Sequence, residues 1–390
     1  IGVILQKEMG IFHKFPLYLG VCCVIIRTKP FFSSQKAANS KEGLFMKRIG
    51  MLTSGGDCQA LNAAMRGVAK ALFNSGEKVE IYGFQDGYQG LIYGRFKLLT
   101  YADFTGRTPF KTIQVPGEDG VDKVAAMKQT YYKLQLDCLV ILGGNGTHKT
   151  ANLLRTEGLN VITLPKTIDN DLWGTDMTFG FQSAVNVATE AIDCIHTTAA
   201  SHGRIFVVEV MGHKVGWLTL NAGIAGGADI ILIPEIPYDI DKLAKKIKER
   251  HDGGSRFTIL AVAEGAISKK DAELSKKEYK KKLSKRTQPS VSYEIAEELG
   301  KRCGLEVRVT VPGHTQRGGS PCPYDRVFAS RLGSEAGKLI LKNEYGFMVG
   351  YKNREIVKVP LEEVAGKLKM VDPDSSIVKE AKLLGISFGD

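Results

Sequence analysis

The sequence predicts an α/β protein whose mainly parallel sheets are covered by helices on both faces, and three observations carry that prediction. Apolar, β-branched runs recur along the chain, glycine or polar turns end them, and helical periodicity follows most of them. Runs that are apolar on both faces suit parallel strands shielded from water, and crossover helices are what join such strands.

Taken in order, residues 49–52 read as the first strand. It enters Thr53-Ser54-Gly55-Gly56-Asp57, and a helix follows with Leu61, Met65, Val68 and Leu72 on one face until Asn74-Ser75-Gly76 stops it. Residues 79–84 form the next strand. Residues 137–142 enter Gly143-Gly144-Asn145-Gly146-Thr147 and a helix, while residues 160–164 enter Pro165-Lys166-Thr167-Ile168-Asp169-Asn170-Asp171. The same order then recurs. Residues 204–210 end at Met211-Gly212-His213, residues 228–234 at Glu235, residues 257–263 at Glu264 and residues 307–311 at Pro312-Gly313-His314. In such sheets ligands bind outside the carboxyl ends of the strands, which is where the polar residues fall.

A length of 390 residues predicts two domains, and 43% hydrophobic with 24% charged residues is the balance of a globular chain rather than a disordered one. The longest uncharged apolar run, residues 15–26, is shorter than the roughly 20 residues a membrane-spanning helix needs, so an integral membrane protein is excluded. The net charge of +11 is local: residues 1–45 carry +4 and residues 269–286 carry +6, leaving +1 for the rest. The second block lacks the interleaved aromatics that stack on bases, so the insert near 267–290 reads as a solvated surface helix, and no nucleic acid partner is expected. Seven cysteines form no CxxC pair and no zinc spacing, which fits a reducing, cytoplasmic setting.

Residues 1–45 differ from the rest of the chain. Met46 immediately precedes the first strand, and Lys41-Glu42-Gly43 can be encoded by a purine-rich ribosome-binding sequence. These residues therefore read as a translated leader or another non-native extension, with a secretory signal around the apolar segment behind Lys14 as the alternative.

Three groups carry chemistry. The turns at 53–57 and 143–147 each precede a helix, so their N–H groups can receive phosphate oxygens with the help of the helix dipole. His148 stands where a P-loop requires glycine, which rejects that motif. Thr167-Ile168-Asp169-Asn170-Asp171 sets a hydroxyl and two carboxylates on one turn, enough to supply a base and a magnesium-associated group for phosphoryl transfer to an alcohol. Arg204, Arg308, His314 and Arg317 form the third group, since guanidinium forks with a histidine suit a phosphate monoester. Glu264, at a strand end, can accept hydrogen bonds from sugar hydroxyls.

Together, residues 53–57, 143–147, 165–171, 208–212 and 313–321 resemble the phosphofructokinase family in order and over nearly all of residues 46–390. The resemblance implies two Rossmann-like domains: residues 46–180 with 320–375 for the phosphate donor, and 181–319 with 376–390 for fructose 6-phosphate. It also implies phosphate transfer to the 1-hydroxyl of fructose 6-phosphate, the committing step of glycolysis, by a homo-oligomer, usually a tetramer, whose sites lie partly between subunits. On this resemblance Asp169 is the catalytic base, with Thr167 and Asp171 beside it. Gly56, Gly146, Thr147, Lys166 and Arg107 are donor contacts, Asn145 and Asp171 associate with Mg2+, and Met211, Gly212 and Glu264 contact the sugar. His314 and Arg317 hold the 6-phosphate, Arg204 and Arg308 reach in from a neighbouring subunit, and Arg66 with Lys70 resembles an effector site.

Several positions depart from the family pattern. Gly146 resembles ATP-using members, because an Asp there would intrude on the α-phosphate, whereas Lys166 resembles the pyrophosphate-using type; ATP is the favoured donor, with pyrophosphate as the alternative. Asn145 stands where most members have Asp, and His213 where Arg is common. The Gly-Gly-Thr-x-Leu-Gly-(Ser/Thr)-Ser-Arg stretch expected between Asp103 and Phe110 is missing, Arg107 being read as its last residue. Asn145 and this gap motivate the rival reading of a non-catalytic, ligand-binding family member. A lipid or NAD kinase is more distant, since it leaves residues 314–321 unexplained.

Overall fold

The computed structural model describes residues 46–104 and 122–390. Residues 1–45 and Arg107, with the stretch around it, lie outside them. The described chain proceeds through β1 (Lys47–Thr53), α1 (Leu61–Phe73), β2 (Val79–Phe84), α2 (Tyr88–Tyr93), β3 (Phe96–Leu99), α3 (Lys123–Lys133), β4 (Cys138–Gly143) and α4 (Asn145–Thr156). β5 (Val161–Thr167), β6 (Phe179–Gly180), α5 (Phe181–His202), β7 (Ile205–Val210), α6 (Trp217–Ala225), β8 (Ile230–Leu232), α7 (Ile240–Asp252) and β9 (Thr258–Ala263) come next. The last are α8 (Lys269–Ala272), α9 (Lys276–Leu283), α10 (Val291–Cys303), β10 (Val307–Thr310), a 3-10 turn at Gly313–Arg317, α11 (Pro323–Leu341), β11 (Phe347–Lys352), β12 (Glu355–Pro360), α12 (Leu361–Val364) and α13 (Ser376–Leu383). The strands form two sheets. The larger runs β12-β11-β5-β4-β1-β2-β3 with β6 beside β5, and the smaller runs β10-β7-β9-β8.

The strand period of two sorts the core. Cys138, Val140 and Leu142 of β4 face one layer with α1, α5 and α11, while Leu139 and Ile141 face α3 and α4 on the other side. In the smaller sheet, Phe206, Val208 and Val210 share that first layer with α5 and α6, and Ile205 and Val207 pack with α7 and α10. One continuous apolar layer therefore lies between the two sheets. Full burial of a Leu or Val there contributes about 1.5–3 kcal/mol each, and Val68 and Leu72 of α1 are wholly buried.

Parallel pairing dominates. β1 pairs in parallel with both β2 and β4, β4 with β5, β5 with β11, and every pair in the smaller sheet is parallel. From β1 the chain goes to β2 on one side and later to β4 on the other, which makes the β1/β4 carboxyl ends a topological switch point. The glycine-rich turns 53–57 and 143–147 both sit there.

Some elements depart from the sequence expectations. β5 continues through Pro165, Lys166 and Thr167, because Gly143 pairs with Pro165 and β6 supplies partners for Lys166 and Thr167. Asn145, Gly146 and Thr147 form the first turn of α4 rather than the end of a loop. The basic insert divides into α8 and α9, since Ser275 makes a capping box with Glu278; neither helix buries a residue. Two antiparallel edges were not expected: β3 on β2, and β12 on β11, joined through Asn353 and Arg354, both at positive φ. Among the described residues no helix is long and apolar enough to cross a membrane.

Helices α1 and α11 cross where glycines let their backbones meet. A Cβ on Gly333 would fall 2.2 Å from the Ala64 carbonyl oxygen, and one on Gly67 would fall 2.5 Å from that of Ser330. This contact matters for the site, because α1 follows the turn bearing Gly56 and α11 follows the turn bearing Arg317. Gly333→Ala is expected to destabilise the protein by about 1–3 kcal/mol through overpacking, read as a lowered Tm in calorimetry.

Candidate active site

A cleft of about 700 Å3 opens at the switch point, and Gly55, Gly56, Asn145, Gly146, Thr147, Lys166, Thr167, Asp169, Asp171, His213 and Arg317 all line it. Gly56, Gly146, Thr147 and Lys166, four of the five expected donor residues, are thus brought together with the two carboxylates by chain folding; the fifth, Arg107, lies outside the described residues.

On the donor side, α4 begins after Gly144 without a capping side chain, so its first N–H groups and dipole are open to an anion in the cleft. A Cβ on Gly146 would meet nothing within 4 Å. The Tyr88 hydroxyl donates to the Thr147 carbonyl (2.9 Å), holding that turn. Asn145 donates through Nδ2 to the Lys367 carbonyl (2.6 Å), which commits its amide nitrogen and leaves its oxygen as the possible ligand. Lys166 is 1% exposed and donates to the Gly56 carbonyl; burial lowers its pKa. Its ammonium therefore braces the first glycine turn from beneath.

The turn that carries the two carboxylates starts where β5 ends. The Asp169 N–H donates to Thr167 Oγ1 (3.0 Å) and Thr178 Oγ1 donates to the Thr167 carbonyl (2.8 Å), so the threonine fixes both the turn and its own strand end. Asn170, at φ +54°, accepts from the Thr178 N–H (3.0 Å) and from Lys369 Nζ (3.0 Å). Burial, and then the neighbouring Asp171 charge, push Asp169 up to about 6, against a smaller lowering by Arg317. Asp171 is raised for the same first reason, with His213, Lys369 and Lys214 opposing. Oδ1 of each carboxylate is buried without a hydrogen-bond partner, an arrangement that costs stability unless a ligand satisfies it.

Arg317 occupies an unexpected place. Its guanidinium donates to the Asp57 carbonyl (3.1 Å), and a Cβ on Gly56 would fall 2.4 Å from Nη1, so the missing side chain of Gly56 is what lets Arg317 reach the cleft. Its charge acts on both Lys166 and Asp169. His314, by contrast, is exposed and outside the cleft lining.

The residues expected to meet the sugar form a second cluster at the carboxyl ends of β7 and β9. Glu264 Oε1 accepts from the N–H groups of Gly212 (3.3 Å) and His213 (2.7 Å), while buried Gln316 accepts from the Met211 N–H (3.2 Å). Gln316 and Gln59, whose Nε2 donates to the carbonyls of Gln316 and Gly318 (both 2.9 Å), were not singled out from sequence. A buried glutamine bonding only to backbone carries no motif.

Arg204 and Arg308 do not join this cluster. Both pair with Glu306 at the amino ends of β7 and β10, with side chains 28% and 56% exposed. Six strand residues separate Arg204 from Met211, about 20 Å of extended chain. Arg66 and Lys70 diverge as well: Arg66 opens onto a groove with Arg326 and Arg331, whereas Lys70 Nζ lies 3.0 Å from the centroid of the Tyr101 ring.

The comparisons with known proteins agree with this geometry. The family model for phosphofructokinase matches residues 48–340. The chain is 52% identical over 361 residues to the ATP-dependent 6-phosphofructokinase of Spirochaeta thermophila, covering 88% of this chain and 98% of that one. It is 44% identical over 355 residues to ATP-dependent 6-phosphofructokinase 3 of Bacteroides thetaiotaomicron, covering 88% and 100%. Among solved structures, the T-state phosphofructokinase of Pichia pastoris superposes with a TM-score of 0.72 at 33% identity, over 86% of this chain and 36% of that one. The pyrophosphate-dependent phosphofructokinase of Marinobacter aquaeolei shares the fold, with a TM-score of 0.70 at 19% identity over 85% and 88%. With paired carboxylates at a switch point, two open glycine turns and relatives matched over nearly their whole length, the chain belongs to the phosphofructokinase family.

Proposed function

We propose that the protein transfers the terminal phosphoryl group of ATP to the 1-hydroxyl of fructose 6-phosphate, giving ADP and fructose 1,6-bisphosphate, with Asp169 as the base. The observation that carries this reading is the half-buried Asp169, whose Oδ1 is enclosed and unpartnered and whose carboxyl is raised to about 6 in the cleft lined by the donor turns. A carboxylate of that basicity is ionised at neutral pH yet still accepts a proton in the transition state. Asp169 takes the proton of the 1-hydroxyl as its oxygen attacks phosphorus, and the bond to the ADP oxygen breaks in line. Arg317 neutralises charge on the moving phosphoryl from the opposite side. The first turns of α4 and of residues 53–57 hold the remaining phosphates. Relatives at 40–52% identity named ATP-dependent, and the open face of Gly146, support ATP over pyrophosphate.

Mg2+ fits the residues present. Among the described residues no group of three or more His, Cys, Asp or Glu side chains could hold a metal alone, and Mg2+ characteristically uses one or two carboxylates together with substrate phosphates. The unpartnered Oδ1 of Asp171 and the carbonyl oxygen of Asn145 would hold it, and it would neutralise phosphate charge.

The smaller sheet, with residues 181–319 and 376–390, is read as the sugar half, where Met211, Gly212 and Glu264 meet the sugar and His314 its 6-phosphate. The larger, with residues 46–180 and 320–375, is the donor half. Arg204 and Arg308, turned away from their own cleft, complete the site of a neighbouring copy in a homo-oligomer. The reaction is that of a cytoplasmic glycolytic enzyme.

Fructose 1,6-bisphosphate formation by the full chain, offered ATP and pyrophosphate in parallel, tests the reading. Turnover with ATP is expected, and turnover with pyrophosphate alone would overturn the donor assignment. Asp169→Asn should lower kcat by about 1,000-fold or more, as expected for a general base. The wild-type kcat should fall as pH drops through about 6, because the raised carboxyl becomes protonated there. The same shift has a stability consequence: a folded-state pKa above the unfolded value makes ionisation unfavourable, so Asp169→Asn should stabilise the protein by about 3 kcal/mol at pH 7.5 and by nothing at pH 3.5. Gly146→Asp fits sterically but sets a carboxylate against the donor, so the KM for ATP should rise about tenfold or more with little change in Tm.

A further inference from the structure

Residues 366–371 follow α12 and carry no motif, yet they run along the cleft as a strap. The Lys367 carbonyl accepts from Asn145 of α4, and Leu368 bridges antiparallel to Leu172. The Lys369 N–H donates to the Asp171 carbonyl (2.8 Å), and the Lys369 carbonyl accepts from Trp217 Nε1 (2.8 Å) at the start of α6. The Val371 N–H donates to Glu235 (2.9 Å), which also accepts from the Gly216 N–H (3.0 Å). One short segment thus ties the donor helix, the catalytic turn and the smaller sheet together.

Its most specific contact is made by the Lys369 side chain. Nζ donates to Asn170 Oδ1 (3.0 Å), the Thr175 carbonyl (2.9 Å) and the Asp176 carbonyl (2.8 Å). An ammonium has three protons, and this geometry uses all of them. Asn170 is the residue between the two carboxylates, in the left-handed region, and its Nδ2 donates to the same Asp176 carbonyl (3.2 Å). The ammonium therefore closes the far side of the loop whose near side Thr167 holds.

We propose that Lys369 is a positioning residue for the reaction, its ammonium fixing Asn170 and the 175–176 carbonyls and so setting the direction in which Asp169 and Asp171 face the cleft. It lies outside the cleft lining and acts through the turn. Removing it leaves the Thr175 carbonyl without that donor, leaves Asn170 Oδ1 to the Thr178 N–H and the Asp176 carbonyl to Asn170 Nδ2 alone, and lets the turn relax; a displacement of about 1 Å at a reacting group is enough to cost on the order of 100-fold in rate. The proposal rests on Asp169 being the base.

The test is steady-state kinetics of Lys369→Met in the full chain, beside wild type and Asp169→Asn, at a temperature where melting curves show each variant folded. The expected result is a kcat lowered by about 30–100-fold with the KM values for fructose 6-phosphate and ATP changed less than about threefold, the split that marks a transition-state effect. A folded Lys369→Met with kcat within about twofold of wild type, or a loss matched by an equal rise in KM, overturns the proposal. Should Lys369→Met fail to fold, Asn170→Ala carries the test: a kcat loss of about tenfold or more at unchanged KM supports the proposal, and an unchanged kcat overturns it. An inactive wild type, or a fully active Asp169→Asn, strikes both the base assignment and this proposal, whereas an active wild type with an unaffected Lys369→Met strikes this proposal alone.

Discussion

Two carboxylates one residue apart, both withdrawn from water, are the constraint around which the rest of the structure is arranged. Burial disfavours ionisation of both Asp169 and Asp171, and the Asp171 charge adds to it at Asp169, so the turn that carries them is intrinsically unfavourable. It persists because its backbone is over-determined. Thr167, Thr178 and Asn170 hold it from within, β6 extends the strand beneath it, and Lys369 holds it from outside. It sits at the carboxyl end of β5, beside the β1/β4 switch point.

The positive groups are distributed to match. Lys166 is committed to the Gly56 carbonyl, Lys369 to the loop, and Arg317 reaches the cleft through the space that Gly56 leaves. Lys166 and Lys369 are thus spent on the backbone that shapes the cleft, while the Arg317 guanidinium lines it. The packing of α1 on α11 across Gly67 and Gly333 carries that arrangement into the core, since the same two helices follow the turns bearing Gly56 and Arg317.

Much of this was legible in the sequence. Strands apolar on both faces announced the parallel sheets, and β2 falls at the residues read for it. The glycine turns and the Thr167–Asp171 turn were placed at strand ends by the same pattern. The edge strands β3 and β12 were not legible, because β3 is short and reached through α2 rather than a hairpin turn, and the Asn353-Arg354 turn into β12 lacks an Asn-Gly signal. Contacts between distant residues escaped for a different reason: Arg317 against Asp57 spans 260 positions and Lys369 to Asn170 spans 199, and neither partner's type announces the other. Glu306, which gathers Arg204 and Arg308 at the wrong end of their strands for their own cleft, was likewise silent.

The proposed role of Asp169 as a base raised by burial is tested most directly by a titration of the carboxyl carbons by NMR on protein labelled with 13C-aspartate, wild type against Asp169→Asn. Burial of this carboxyl predicts one resonance titrating near 6 in the wild type and absent from the variant. A wild-type spectrum in which the resonance lost in Asp169→Asn titrates at or below the ordinary carboxylate value of about 3.9 would contradict it.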